Sequence, residues 1–344
     1  MHLESEIAEQ PAVIARLIAE QAANARLIAQ AVRAFDPAVV VIAARGTSDN
    51  AARYAQYALG YYVRLPVALA TPSLHTLYGT PPNLSRGLVL GISQSGQSED
   101  VRQVLEDARK QGALTVGITN DAESPIAQTA EHNLHLMAGE EVSIAATKTY
   151  TAQLTAVAML VAALSDGDEL HGDLSHLPGH VERALTLSES IPSWIERYRY
   201  MDHFAAIGRG FNYCTAFEIN LKIKELCYIT GDSYSAADFQ HGPIATVHPG
   251  FPVFIVAPAG KTLPTMLDLL DKLYERQAEL VVISSEEAAF VHAQNHMSLP
   301  TGVPEWLTPI ITVIPGQIFA MRLGLVKGHD VDRPYGLTKV TVTK

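Results

Sequence analysis

Three serines, Ser93, Ser95 and Ser98, stand around Gly96 in the stretch Leu88-Val-Leu-Gly-Ile-Ser-Gln-Ser-Gly-Gln-Ser-Glu-Asp-Val101. Hydroxyl donors on a loop that opens a helix, together with the unpaired backbone N–H groups of the first turn, make an anion site that fits a phosphate. Ser98 followed by Glu99 and Asp100 also reads as an ordinary helix cap, so the spacing by itself leaves both readings open. Thr47 and Ser48, in Ala44-Arg-Gly-Thr-Ser48, offer hydroxyls at a second turn of the same kind. Further along, Glu218, Lys222 and Glu225 fall at i, i+4 and i+7, hence on one helix face, with Lys224 pointing away. A solvated ion pair is the commoner meaning of that spacing. Here, however, Phe217, Ile219, Leu221, Ile223 and Leu226 make the helix apolar on most sides, and a charged stripe on a buried helix needs a purpose such as acid–base catalysis. His241, held before Gly242-Pro243, fits either a structural turn or an acid–base role. Lys339, flanked by Leu337 and Val340, is either a solvated charge or an amine tucked into a site.

The elements that must position these residues follow from the hydrophobic pattern. The apolar run 88–92 reads as a buried strand, and Val101, Val104, Leu105 and Ala108 start a helical i, i+3, i+4, i+7 pattern behind the serine loop. Strands are likewise expected at 39–43, 66–70, 114–118 and 133–137, alternating with helices. This predicts an α/β fold with a doubly wound, mainly parallel sheet whose ligands bind beyond the carboxyl ends of the strands. The pattern then repeats. Gly46 and Gly210, in Ala44-Arg-Gly46 and Gly208-Arg-Gly210, and likewise Gly96 and Gly260, are separated by 164 residues, and strands at 204–207, 252–256 and 280–283 match those at 39, 88 and 114. Where the first copy has Ser93-Gln-Ser-Gly96, the second has Ala257-Pro-Ala-Gly260, without hydroxyls and with one N–H fewer, so the phosphate site is expected in the first copy only. The expected organisation is helices over 1–34, a first domain over 35–165, a helical linker over 166–197 with a helix at 181–197, a second domain over 198–328, and a tail over 329–344 folding back over a cleft between the domains.

Composition narrows the function classes. The chain has 344 residues, 48% of them hydrophobic and 18% charged, the balance of a globular protein with sizeable cores. A formal net charge of −11 without a basic run argues against nucleic acid or an anionic membrane as partner, so an anionic substrate needs local donors. Cys214 and Cys227 would sit roughly 20 Å apart along one helix and cannot pair, which fits a cytoplasmic protein. The acidic opening lacks a secretory signal, and the tract 152–164, taken as the longest apolar one, is too short to span a bilayer and reads as a buried helix. His176 and His180 are four apart, but Leu177-Pro-Gly179 between them is expected to disrupt the helix that would align them, and no metal is expected.

Taken together, the segments resemble the isomerase half of glutamine–fructose-6-phosphate aminotransferases, a pair of sugar-isomerase (SIS) domains. The resemblance runs from Glu6-Ile-Ala-Glu-Gln-Pro11 to the end. It includes Arg45-Gly-Thr-Ser48, Ser93-Gln-Ser-Gly96, Ala145-Ala-Thr-Lys148, Lys222-Ile-Lys-Glu225, His241-Gly-Pro243, Asp330-Val-Asp-Arg-Pro334 and Leu337-Thr-Lys339. It implies two tandem SIS domains, with Thr47, Ser48, Ser93, Gln94, Ser95 and Ser98 holding the sugar phosphate and hydroxyls beside Ala145 and Ala146. Ser98 stands where threonine is usual, and Ala146 where serine is usual. The resemblance also implies that Glu225 shuttles a proton between carbons 1 and 2, Lys222 assists, His241 opens the ring and Lys339 acts as an amine. A homodimer without a cofactor is implied, with the histidine entering from a neighbouring subunit. Because the sequence opens at the sugar half, without a glutaminase domain, the expected activity is an isomerising glucosamine-6-phosphate deaminase, classed as a hydrolase. A fructosamine-6-phosphate deglycase and a non-catalytic sugar-phosphate sensor are the alternatives. The sensor reading expects a DNA-binding helix-turn-helix, for which the acidic N-terminal helices lack a basic surface.

Overall fold

The computed structural model describes residues 1–165 and 168–339, so the start of the expected linker, 166–167, and the end of the tail, 340–344, lie outside the described residues. Among the described residues ten strands form two five-stranded sheets. The first contains β1 (Val39–Ala43), β2 (Val67–Leu69), β3 (Gly87–Ser93), β4 (Leu114–Thr119) and β5 (His132–His135), in the order β2-β1-β3-β4-β5. The second contains β6 (His203–Gly208), β7 (Thr230–Ser235), β8 (Pro252–Val256), β9 (Glu279–Ser284) and β10 (Asn295–Ser298), and read from β7 its order is β7-β6-β8-β9-β10. All pairings are parallel. The two orders are the same permutation, so the 164-residue repeat is a duplicated topology. Central strands β3, β4, β8 and β9 are buried along their full length, as continuous apolar runs require in a parallel sheet covered on both faces.

The helices are α1 (His2–Ala8), α2 (Gln10–Phe35), α3 (Thr47–Ala58), α4 (Ser73–Thr76), α5 (Glu99–Lys110) and α6 (Pro125–Thr129), then α7 (Lys148–Leu164) and α8 (Glu169–Leu187). They continue with α9 (Tyr213–Cys227), α10 (Ala236–Gln240), α11 (Leu263–Glu275) and α12 (Thr308–Val326). The residues group into two compact units. The first comprises Gln10–Glu141, Lys148–Pro178 and the chain from Thr338, and the second comprises Met1–Glu9, Val142–Thr147 and Gly179–Leu337. In the first unit α5 buries Val101, Val104, Leu105 and Ala108 and closes over Gly91, where a Cβ would come within 2.6 Å of Leu105 Cδ1. All seventeen residues of α7 are buried, packed on α2 and α3. In the second unit α9 packs on α12, and α11 buries Met266, Leu269, Leu270 and Leu273 in a core with β8 and β9.

Several expectations change here. Helix α8 runs through Pro178 instead of breaking there, and it ends at Leu187, followed by 3₁₀ turns at Ser188–Ser193 and Ile195–Tyr198 in place of a helix over 181–197. One lost backbone hydrogen bond at proline is outweighed by Leu170, Leu174, Leu177, Val181 and Ala184, buried at helical spacing on either side of it. The longest apolar element is α12, not the tract 152–164. By length and composition the segment Glu305–Val326 could cross a membrane, yet most of it is buried within the fold, where α12 packs on α9. Strand β7 escaped the pattern because Thr230-Gly-Asp-Ser-Tyr-Ser235 is a polar, partly exposed edge strand.

Candidate functional site

Strands β1 and β3 are neighbours, with Ala43 paired to Gly91, so the turns that follow them emerge side by side from one sheet edge of the first unit. Thr47 and Ser48 open α3 behind Gly46, whose φ of +54° suits glycine. In the serine loop Gly96 has φ +65°, and a Cβ there would lie 2.0 Å from Ser124 Oγ, so only glycine fits. Ser93 Oγ accepts the Gly96 N–H at 3.1 Å and lies 3.3 Å from Ser98 Oγ, while Ser95 Oγ accepts the Gln97 N–H at 3.2 Å. Gln94 is half-buried, and its carbonyl accepts the Asn120 N–H. Ser98 occupies the N-cap position of α5, but its side chain makes no capping bond, so the hydroxyl belongs to the loop and not to the helix end.

The two acids that follow the loop weaken an anion site only if their charge is uncompensated. Asp100, 1% exposed, receives Arg45 Nε at 2.6 Å, an ion pair that also ties the β1 turn to the β3 turn. Glu99 is paired with Arg102, whose hydrogen bond holds the Glu99 carboxyl below the usual carboxylate range. Arginine therefore offsets both charges, and the rim can present hydroxyls and N–H groups to an anion. At the corresponding turn of the second unit the chain's own Glu305 takes the space. Its Oε1 faces the Thr262 N–H at 3.4 Å, and a Cβ at Gly260 would come within 2.3 Å of its carboxyl carbon.

Lys339 lies in the first unit and is held at 2.8 Å from Glu141 Oε2. The Glu141 side chain is fully buried and also accepts the Thr149 backbone N–H at 3.1 Å and Oγ1–H at 2.7 Å. Lys339 is thus paired with a carboxylate that sequence reading did not single out.

In the second unit α9 carries Lys222, 1% exposed, with Nζ 2.5 Å from Glu225 Oε2 and 3.4 Å from Glu218 Oε1. Glu218 is fully buried, Glu225 is 23% exposed and Lys224 faces solvent, so the charged face has one end open. Such an arrangement can hold a carboxylate ready to move a proton beside an ammonium that stabilises developing negative charge. His241 is exposed at the end of α10, beside Gly242 at φ +137°. Ala145 is buried and Ala146 half-buried, in the segment Val142–Thr147. That segment is clamped from two sides. Glu6 Oε1 accepts the Val142 and Ser143 N–H groups, and the Asp332 carbonyl accepts the Ile144 N–H. Asp332 also caps α1 through the His2 and Leu3 N–H groups. Glu6 and Asp332 lie within motifs seen in the sequence, but the groups they bind stand 136 to 330 residues away along the chain, which leaves no periodic signal.

This fold and these turns define a known class. A SIS domain model matches residues 35–163 and 201–327, and the chain belongs to the SIS domain family. It is 33% identical over 344 residues to glutamine–fructose-6-phosphate aminotransferase [isomerizing] from Pyrococcus horikoshii, covering 98% of this chain and 57% of that one. It is 32% identical to a protein of the same name from Thermus thermophilus, with coverages of 98% and 58%. The chain thus spans little more than half the length of these curated relatives. Among solved structures, one assigned as a phosphosugar isomerase from Silicibacter pomeroyi has 31% identity and a TM-score of 0.85, covering 96% of this chain and 100% of that one. The C-terminal domain of glucosamine-fructose-6-phosphate aminotransferase from Francisella tularensis has 27% identity and a TM-score of 0.85, with coverages of 97% and 98%. These findings correct the expected hydrolase class, because the family and its neighbours are of the isomerase type.

Proposed function

We propose that the chain is a phosphosugar isomerase that converts glucosamine 6-phosphate to fructose 6-phosphate and ammonia. The observation that carries this reading is the Lys222–Glu225 contact of 2.5 Å on a helix that is mostly buried. The serine rim with its arginine-neutralised acids supports a phosphate ligand, and relatives named as isomerising aminotransferases of fructose 6-phosphate support the sugar. In this reading Thr47, Ser48, Ser93, Gln94, Ser95 and Ser98 hold the phosphate and hydroxyls, and His241 transfers the proton that opens the ring. Glu225 takes the proton from carbon 2 of the open-chain aldehyde and returns it to carbon 1. The amine-bearing carbon 2 becomes an imine, water adds there, and the carbon–nitrogen bond breaks to leave the ketone and ammonia. Lys222 stabilises the enolic oxygen, and Lys339, paired with Glu141, is the amine that meets the open-chain carbonyl. The enzyme is proposed as a cytoplasmic homodimer, the dimer by resemblance to the family.

The test is incubation of the purified protein with glucosamine 6-phosphate, N-acetylglucosamine 6-phosphate and fructosamine 6-phosphates, followed by assay of ammonia, fructose 6-phosphate and free amino acid. Ammonia and fructose 6-phosphate from the first substrate are expected. Amino acid released from a fructosamine, with no ammonia from glucosamine 6-phosphate, would replace the reading with a deglycase. Binding without turnover of any of them would replace it with a sensor.

A further inference from the structure

Helix α7 is buried along all seventeen residues, and within it Gln153 is 0% exposed. Its Nε2 donates to Ser48 Oγ at 2.9 Å, while its Oε1 is buried with no hydrogen-bond partner. A half-satisfied amide among alanine, leucine, valine and methionine is costly, so the single bond it makes is where its role lies. A serine hydroxyl has one hydrogen and two lone pairs. With Gln153 donating into a lone pair, the Ser48 hydrogen is turned away from α7. Ser48 is itself buried, and among the described residues no protein acceptor takes that hydrogen. It lies at the opening of α3, tied to the serine loop by the Arg45–Asp100 pair.

We propose that Gln153 is a positioning residue which makes Ser48 an obligate hydrogen-bond donor, and so sets the affinity of the first unit for a phosphorylated sugar. This rests on the phosphosugar reading given above. An acceptor-only ligand group, the oxygen of a phosphate monoester, is what such a donor recognises. The amide cannot serve the opposite purpose in this orientation, because its acceptor atom faces no hydroxyl.

The experiment is calorimetric titration with glucitol 6-phosphate, an open-chain 6-phosphate with no carbonyl to react. The proteins are wild type, Ser48→Ala, Gln153→Met, Gln153→Glu and the Ser48→Ala/Gln153→Met double variant. Ser48→Ala and Gln153→Met are each expected to weaken binding about 5- to 10-fold, as loss of one such hydrogen bond does. The double variant is expected to bind no worse than Ser48→Ala alone. Gln153→Glu is expected to weaken binding further than Gln153→Met, because a carboxylate accepts the Ser48 hydrogen and adds negative charge. In turnover assays Gln153→Met raises KM and leaves kcat at saturation. Wild-type affinity in Gln153→Met beside weakened binding in Ser48→Ala overturns the role of Gln153 and spares the phosphosugar reading. Wild-type affinity in Ser48→Ala overturns the proposal and likewise spares the phosphosugar reading, whereas no binding of glucitol 6-phosphate by the wild type overturns both. Should the methionine variant fail to fold, the near-isosteric Gln153→Glu decides the matter, and unchanged affinity there overturns the proposal.

Discussion

Ser93 and Ser95 do two things at once, shaping the loop through the Gly96 and Gln97 N–H groups and presenting oxygen to the rim. Ser93→Ala or Ser95→Ala is expected to raise KM for a 6-phosphate substrate and to weaken its binding by about 1–2 kcal/mol each, and unchanged affinity in both would remove the loop from the site. Glu141→Gln tests a different residue. It leaves phosphate binding intact and is expected to lower kcat about tenfold or more, by releasing Lys339 from a charge-assisted partner. Equal loss of glucitol 6-phosphate binding would show that Glu141 acts on the fold instead. The serines were legible in the sequence because hydroxyls and glycine bunch where an apolar run ends. The partners that complete the chemistry were not. Arg45 and Asp100 are 55 residues apart, and Glu141 and Lys339 are 198 apart, so only the folded chain brings the charges together.

At the scale of elements, α9 presents its charged face only because α12 supports it closely. A Cβ at Gly316 would lie 2.5 Å from Ile219 Cγ1, and one at Gly324 would lie 2.8 Å from the Leu226 carbonyl oxygen. Gly324→Ala is expected to destabilise the second unit by about 1–3 kcal/mol through overpacking, and to lower kcat by displacing Glu225, measured by denaturant unfolding and turnover together. Cys227, whose thiol donates to the Ala320 carbonyl, reports the same contact through pH. Burial pushes its thiol up from an ordinary 9.0 to about 12. The thiol is neutral in both states below about pH 9. Above that the unfolded chain ionises first, so this stability is fully present below 9 and is lost as pH rises towards 12. Unfolding midpoints are therefore expected to fall between about pH 8 and 10.5 in wild type, and to fall less steeply in Cys227→Ala. Helix α12 itself is not legible in the sequence because it lacks amphipathic periodicity: an element buried on nearly every side carries no stripe to read.

Over the whole molecule, duplication supplies two equivalent turns, and the sequence differs between them in a way that the structure completes. Ala257-Pro-Ala-Gly260 lacks the hydroxyls, and Glu305 fills the space at Gly260. Titration with a 6-phosphate ligand is accordingly expected to give one site per chain, and two equal sites would contradict the asymmetry. The proposed dimer is tested by mixing inactive His241→Ala with inactive Glu225→Gln protein. Partial activity is expected on subunit exchange, and no recovery despite demonstrated exchange would place His241 within its own chain's reaction. The central claim, that Glu225 moves a proton on a phosphorylated amino sugar, is met most directly by following glucosamine 6-phosphate in deuterium oxide by nuclear magnetic resonance. Wild-type protein is expected to form fructose 6-phosphate carrying deuterium at carbon 1, with ammonia, while Glu225→Gln binds the sugar phosphate and does neither. Sugar phosphate that binds to the wild-type protein yet emerges unlabelled and unconverted would contradict the account.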